Sequence, residues 1–484
     1  MTQEKKKVFI TTAIDYTNDV IHIGHAYQKI LADCLARFFR SEKGEENVFF
    51  TTGTDEFGTT NEKAALKRDV PPQQHVDEIS AKDKAQLDAL DISYDRFIRT
   101  TDSDHQKAAA AFFQKSYDNG DIYKDTYEGL YCEGCEAHKT LSELNEAGQC
   151  LFHTTREIQK VAEENYFFKW SKYADFLKEL IESEELLVLP ESKRNEMLAF
   201  IESGINDIPI TRPKHKVSWG IDCPIDNTQV IYVWFDALIN YYTAAEPKGF
   251  WDDDTQIIHV LGKDNARWHA LLWPAMLKSV GYRLPNVVYV HSFINLNGEK
   301  ISKSLGNVIL PTELVEKYGV DPVRYYFLKH GPIVDDVNIS IERFEEVYNA
   351  DLANGLGNTV ARIAKLAENS GLEFETDSGE KVEWSQEQLS NWTNYRVDLV
   401  LQKIWQKLSG IDNDINHYEP WKLLESNDEE LQRIFKQTLD DEIAKLRTVT
   451  KMLKPFLPST AEKILTQFKG PKIKAERPLF PRIQ

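Results

Sequence analysis

Two rhythms of apolar residues run along the first hundred positions. KVFITTAI (7–14) is dense in β-branched residues and reads as a strand, whereas Ile30, Leu31, Cys34, Leu35, Phe38 and Phe39 recur at helical spacing. VFFTTGTDEFG predicts a second strand that breaks at Gly53, and NEKAALKRD the helix after it. Strand, helix and strand at this spacing predict a parallel sheet covered by helices. Such sheets bind ligands in the crevice beyond the carboxyl ends of their strands. His22, His25 and Asp55 each follow a predicted strand and are therefore placed at that crevice.

From about Asn119 the pattern lapses into short aromatic and turn-rich pieces, returning near Val217 with VIYVWFDALINYY, QIIHVLGKD and NVVYVHSFINL, read as further strands. The middle is thus an insertion splitting one sheet domain. After about Asp321 strands largely disappear, and Leu352, Leu356, Val360 and Ile363 begin a helical stripe that later helices continue through Lys454. The expected division is a sheet domain over 1–118 and 217–320, an insertion over 119–216, a linker over 321–345 and a helix bundle over 346–484. The tail KGPKIKAERPLFPRIQ is expected to be extended.

A chain of 484 residues suits roughly three domains. No apolar run approaches the ~18 residues of a membrane span, and MTQEKKKVFITT lacks the apolar core of a secretion signal, so a cytoplasmic protein is expected. The 58 basic and 77 acidic residues leave a formal net charge of -19, so any nucleic-acid partner would have to be held by local basic patches with strong salt dependence. Five cysteines in this length do not make a disulfide framework, but three lie close together.

DVIHIGHAYQKI (19–30) sets two histidines around Ile23-Gly24 at a helix entry, where unpaired backbone N–H groups and the positive helix end attract anions. Gly24 lets a ligand approach the backbone. Either histidine alone reads as a cap or a core group; the pair reads as a phosphate site. In NGEKISKSLGN (297–307), Lys300 and Lys303 bracket Ile301 and Ser302 on a polar loop that can neutralise polyphosphate charge, though alone it would be an ordinary charged loop. YCEGCEAHKTLSELNEAGQCLFHTT pairs Cys132 with Cys135 and Cys150 with His153, the pairs separated by 14 residues. Four soft ligands in two close pairs suit a closed tetrahedral zinc site stapling a small piece of chain; His138 is a less well spaced substitute. A redox CxxC would need a strand-to-helix context that is absent here.

His-Ile-Gly-His early and Lys-Ile-Ser-Lys-Ser late resemble the two signatures of class I aminoacyl-tRNA synthetases. TTGTDEFGT, YVWFDALINYY, GKDNARWHALLWPAM, GEKISKSLGN and the final PLFPRI extend the resemblance along nearly the whole chain, to the methionyl-tRNA synthetase family. The resemblance implies an α/β fold: a Rossmann-type parallel-sheet catalytic domain split by a zinc-knuckle insertion, then an all-α helix-bundle anticodon-binding domain. It implies that methionine is activated with ATP and Mg²⁺ and passed to tRNA(Met), initiator tRNA included. It places His22 and His25 at the ATP phosphates, Lys300 and Lys303 at the leaving pyrophosphate, and Gly24, Lys263, Asp264, Ser302 and Ser304 at the bound ATP. Asp55 maps onto the carboxylate that holds the substrate ammonium. Ile14, Tyr16, Trp234, Ala237, Tyr241, Asn265 and His269 map onto the methionine pocket, an apolar lining suited to a thioether. Without the motif Trp234 would read as core packing and Asp236 as a helix cap.

Asn358 and Arg362, four apart and off the apolar stripe, and Trp421 after Pro420 match positions that read anticodon bases; from spacing alone they would be a solvated face and a core anchor. The sequence departs from the family pattern at Asp15, where Pro or Tyr is common, and at Asn265, where an aliphatic residue is frequent. Leucyl, isoleucyl and valyl enzymes share both signatures but carry a large editing insertion. His25 and Lys300 are 275 positions apart, which leaves only about 100 residues for an insertion. A nucleotidyltransferase would share the His-x-Gly-His entry but account for neither the knuckle nor the helical C-terminal part. A non-catalytic RNA-binding relative is opposed by the presence of His22, His25, Asp55, Lys300 and Lys303. With no further domain expected after the bundle, a monomer is expected.

Overall fold

Val8 to Thr12 are buried, as are all eight residues of Val48–Asp55, the signature of strands covered on both faces. They lie in a parallel sheet whose strands run in the order Asp15–Tyr16, Val48–Asp55, Lys7–Thr12, Thr255–Gly262, Val287–His291 and Leu187–Leu189, with Arg96–Arg99 also paired to Val48–Asp55. Thr12 and Thr52, both buried, pair their hydroxyls across neighbouring strands, Oγ1 to Oγ1, at 2.7 Å. The computed structural model describes residues 5–483 except 136, 140–142, 152, 153, 155, 156, 302–306, 425 and 427; for 127, 128, 137, 138 and 300 only the backbone is described.

Two compact units are present: Met1–Ala32 with Phe39–Asp88 and Ile92–Phe293, and Asp33–Phe38 with Ala89–Asp91 and Ile294–Gln484. In the first, the chain leaves Lys7–Thr12, makes the short strand Asp15–Tyr16 and enters the helix Ile23–Lys43. Ile30, Leu31, Cys34 and Leu35 are fully buried on it, and burial of each of the three aliphatic side chains is worth roughly 1.5–3 kcal/mol. The stretch after Asn119 forms a separate antiparallel sheet ordered Ala137–Lys139, Ile122–Cys132, Ile158–Phe168 and Ile208–Pro209. It also returns one short strand, Leu187–Leu189, to the edge of the parallel sheet.

Two local expectations are corrected. The strand does not break at Gly53 but runs on to Asp55. A Cβ at Gly53 would lie 1.8 Å from the Ile98 carbonyl oxygen, so glycine there admits the neighbouring strand rather than ending its own. VIYVWFDALINYY is mostly helical: after Gln229–Ile231, which pairs antiparallel with Thr211–Pro213, it forms helices Val233–Leu238 and Asn240–Ala245. An apolar run buried all round has no period by which strand and helix can be told apart. Here Phe235, Leu238 and Tyr241 enter one core with Phe168, Trp273 and Leu277.

Among the described residues of the second unit, the strands are the short Ile294–Leu296, Glu299–Lys300 and Val337–Ile339, and the other elements are helices. Leu352, Leu356, Val360 and Ile363 are buried as expected, the first two on a wide π-type turn, Tyr348–Gly357, that leads into Asn358–Ser370. Val397–Tyr418 buries Val400, Leu401, Ile404, Leu408, Ile411 and Ile415 along one stripe, and packs on Glu429–Leu453, whose first turn is capped by Asp428. No helix among the described residues is long and apolar enough to cross a membrane.

Candidate active site

The helix Ile23–Lys43 begins with both signature histidines in reciprocal caps. His22 is the N-cap residue, in extended conformation, and its Nδ1 accepts from the Gly24 N–H at 3.0 Å; the His22 N–H donates to His25 Nδ1 at 3.3 Å. The two rings lie 4.0 Å apart. The capping and anion-binding readings are therefore compatible. With each Nδ1 accepting from the backbone, the neutral ring carries its proton on Nε2, a donor suited to an anion. A Cβ at Gly24 would come within 2.8 Å of His22 Cε1, so the glycine makes room for the histidine's own ring.

Asp15 and Tyr16 pair in parallel with Thr54 and Asp55, which sets Tyr16 beside the buried Asp55. The Asp55 carbonyl oxygen accepts from the Thr17 N–H at 3.2 Å and from Asn61 Nδ2 at 3.0 Å, fixing the strand end. Tyr16 meets Trp234 edge to face with ring centres 6.3 Å apart, and Trp234 stacks on Trp268 at 4.8 Å. Ala237 lies one turn on from Trp234 in Val233–Leu238, buried, and Ile14 is half-buried against the core. Tyr241 Oη is 2.6 Å from His269 Nε2 and 3.4 Å from the Thr12 carbonyl oxygen at the end of the central strand. His269 Nδ1 lies 3.0 Å from the Asn265 carbonyl oxygen. That oxygen can only accept, so Nδ1 carries the proton and Tyr241 donates to Nε2. Burial pushes His269 down to about 4, keeping it neutral, and holds the Tyr241 hydroxyl well above its usual range.

Tyr16, Asp55, Trp234, Tyr241 and His269 are thus linked around the carboxyl ends of the strands. Asn265 contributes through its backbone on the short turn Lys263–Asn265, where Asp264 is exposed and Lys263 lies 4.5 Å over the Phe293 ring. Asp236, which without the motif would read as a helix cap, is fully buried. It lies 4.0 Å from His105 Nε2 without a hydrogen bond to either carboxylate oxygen, and burial pushes it up to about 6. Trp268 was not singled out in the sequence. A tryptophan one residue before the expected pocket histidine was its only signal.

Cys132, Cys135 and Cys150 bring their sulfurs within 4.8 Å of one another, with Cys135 Sγ 3.4 Å from Cys150 Sγ. Tetrahedral thiolates at ~2.3 Å from zinc stand ~3.8 Å apart, so the three fit one ion. Cys132 and then burial push the Cys135 thiol far up, a crowding that a dication relieves by taking the thiols as thiolates. His153 lies outside the described residues, as does the side chain of His138. The Cys135 carbonyl oxygen accepts from Trp234 Nε1 at 3.1 Å, so the knuckle directly holds a wall of the aromatic cluster.

In the second unit, the backbone of Lys300 pairs with Asn295, while its side chain and all of Ser302, Lys303 and Ser304 lie outside the described residues. Asn358 is exposed at the start of Asn358–Ser370. Arg362 reaches Asn416 Oδ1 at 2.7 Å and lies 5.7 Å over the ring of Trp421, which is 40% exposed.

The model of "tRNA synthetases class I (M)" matches residues 8–156 and 133–364. A methionine–tRNA ligase of Clostridium perfringens is 40% identical over 96% of this chain and 73% of its own length, and one of Thermotoga maritima is 38% identical over 95% and 74%. Mycobacterium tuberculosis methionyl-tRNA synthetase in complex with methionyl-adenylate superimposes with a TM-score of 0.89 at 32% identity, covering 98% of this chain and 100% of that one. Its ligand-free form gives 0.81 at 30%. With the signature helix entry, the aromatic cluster at the strand ends and the cysteine knuckle all in place, the chain belongs to the methionyl-tRNA synthetase family of the class I aminoacyl-tRNA synthetases.

Proposed function

We infer that the protein is a methionine–tRNA ligase: it activates L-methionine with ATP and transfers the methionyl group to the 3′ end of tRNA(Met). The observation that carries this reading is the linked set Tyr16, Asp55, Trp234, Tyr241 and His269 beside the His22–His25 helix entry. A methionine carboxylate oxygen attacks the α-phosphorus of ATP, the bond to the bridging oxygen breaks, and pyrophosphate leaves. A terminal ribose hydroxyl of tRNA then attacks the methionyl carbonyl, and AMP leaves. The substrate supplies its own nucleophile, so the chain's work is positioning and charge stabilisation.

Asp55 receives the methionine ammonium as a charge-assisted partner. Ile14, Tyr16, Trp234 and Ala237 enclose the thioether, with Tyr241 and the neutral His269 closing its polar side. His22 and His25 donate to ATP phosphates, and Lys300 and Lys303, with Ser302 and Ser304, neutralise the leaving pyrophosphate. Lys263 and Asp264 hold the nucleotide, Asp264 through ribose hydroxyls. Mg²⁺ accompanies the ATP and screens its phosphates. Zinc in the cysteine cluster, with His153 as fourth ligand, is structural. Asn358, Arg362 and Trp421 read anticodon bases of tRNA(Met), initiator tRNA included. The reading is of a cytoplasmic monomer. ATP–pyrophosphate exchange with each of the twenty amino acids tests it: exchange driven by methionine is expected, and exchange driven by another amino acid, or by none, contradicts it.

A further inference from the structure

Lys29 is fully buried on the helix Ile23–Lys43, and its Nζ meets the buried Asp15 Oδ2. The same Nζ donates to the Ala13 carbonyl oxygen at 3.3 Å. The preceding residue, Gln28, repeats the pattern, with Nε2 3.3 Å from the Ala13 carbonyl oxygen and 3.4 Å from Asp15 Oδ1. Two consecutive side chains of the helix thus grip the backbone before Ile14 and the carboxylate after it. The gripped turn is where the central strand Lys7–Thr12 ends and Asp15–Tyr16 takes its register against Thr54–Asp55.

We propose that Asp15 and Lys29 form a positioning pair that sets the affinity for methionine, by holding the turn that carries Ile14 and Tyr16 in fixed register with Asp55. The inference rests on the methionine-activating reading of this site and adds a determinant of its amino-acid specificity. Neither residue needs to touch the substrate. Asp15 belongs to the parallel bridge that sets Tyr16 opposite Asp55, so a shift of the Asp15 carboxylate moves the aromatic wall relative to the ammonium-binding group. Misplacement on the ångström scale costs as much as about 100-fold in rate or binding.

An ion pair this deep is poorly explained by stability. Apolar residues of similar volume commonly serve as well, whereas removing one partner strands a buried charge. Burial drives the Asp15 carboxyl up and the Lys29 ammonium down, each opposed chiefly by the other, so the charges are kept only as a pair. The other charged or titratable groups within electrostatic reach are His22, Asp83, His291 and Tyr241.

The test separates a positioning role from a structural one by combining thermal stability with the KM for methionine and for ATP in pyrophosphate exchange. Asp15→Asn and Lys29→Met each leave one buried charge alone and are expected to lower stability and raise the methionine KM together. The double variant D15L/K29M removes both charges; it should regain near-native stability yet keep a methionine KM about tenfold raised, with the ATP KM within about twofold. Asp15→Glu keeps the charge and lengthens the arm by one carbon, so it should fold normally and still raise the methionine KM severalfold. A wild-type methionine KM in folded D15L/K29M, or in Asp15→Glu, overturns the proposal. Methionine-dependent exchange by the unaltered protein is the separate check on the reading beneath it.

Discussion

Around Asp55 the side chains proposed for recognition are buried (Asp55, Ala237, Tyr241, His269) or half-buried (Ile14, Tyr16, Trp234) and packed on one another, whereas on Asn358–Ser370 and Pro420–Leu424 they stand nearer the surface. Tyr241 and His269 share a buried hydrogen bond, and Trp234 is held by stacking and by the knuckle's backbone. Trp421 is substantially exposed, Asn358 is exposed, and Arg362 bridges Asn416 and the indole face. The difference follows from the size of the partner. A small apolar amino acid is selected by a preorganised, dehydrated cavity, whereas bases of a folded RNA need rings and donors they can reach from outside. In a chain of net charge -19 those groups would have to work as a local patch within a repelling field.

The comparison predicts that damage to the two regions separates cleanly in two assays. The largest effect is expected at the helix entry. His25→Ala should slow pyrophosphate exchange about 100- to 1000-fold, because it removes a donor aimed at developing charge. His22 stays as the N-cap and only the long contact from its N–H to His25 Nδ1 is lost, at a cost of about 1 kcal/mol or less, so the fold should survive in a thermal melt.

Next comes the pH dependence of stability, to which the buried histidines contribute, His259 and His330 as well as His269 and His291. Burial pushes both His269 and His291 down to about 4. Unfolded histidines protonate near 6.5, so between about 4 and 6.5 the unfolded chain binds more protons and the folded state loses stability as the pH falls. Each should cost about 2 kcal/mol between pH 7.5 and 5. Urea melts at those two values measure it, and His269→Gln should flatten the dependence by one histidine's share.

Trp421→Ala should then lower tRNA charging about tenfold, since one stacked base is worth roughly 1–3 kcal/mol, and leave exchange unchanged. The smallest effect sharpens the link between knuckle and pocket. Stripping zinc with a chelator should loosen the turn that holds Trp234, raising the methionine KM about fivefold and changing tryptophan fluorescence. Restoring zinc should reverse both.

The outline of the fold was legible because strands and amphipathic helices carry period and punctuation. The buried stripe from Leu352 to Ile363 and the strand–helix–strand opening follow directly from spacing. VIYVWFDALINYY was not legible as helix, because a segment buried on all sides has no polar face to set a period. At the site, the motif pointed to His22, His25 and Asp55, but the part the histidines play in capping the helix needed coordinates. The Asp15–Lys29 pair was hidden for another reason. Sequence marks Asp15 as a departure, yet nothing in a lysine 14 residues later says that it turns inward; only the packing of the helix on the strand end decides that.

The separation of the two regions is tested most directly by measuring exchange and charging side by side for His25→Ala and Trp421→Ala, each checked for an unchanged melt. The account predicts that His25→Ala depresses both reactions together, while Trp421→Ala depresses charging alone. Equal loss of exchange and charging in a fully folded Trp421→Ala protein would contradict it.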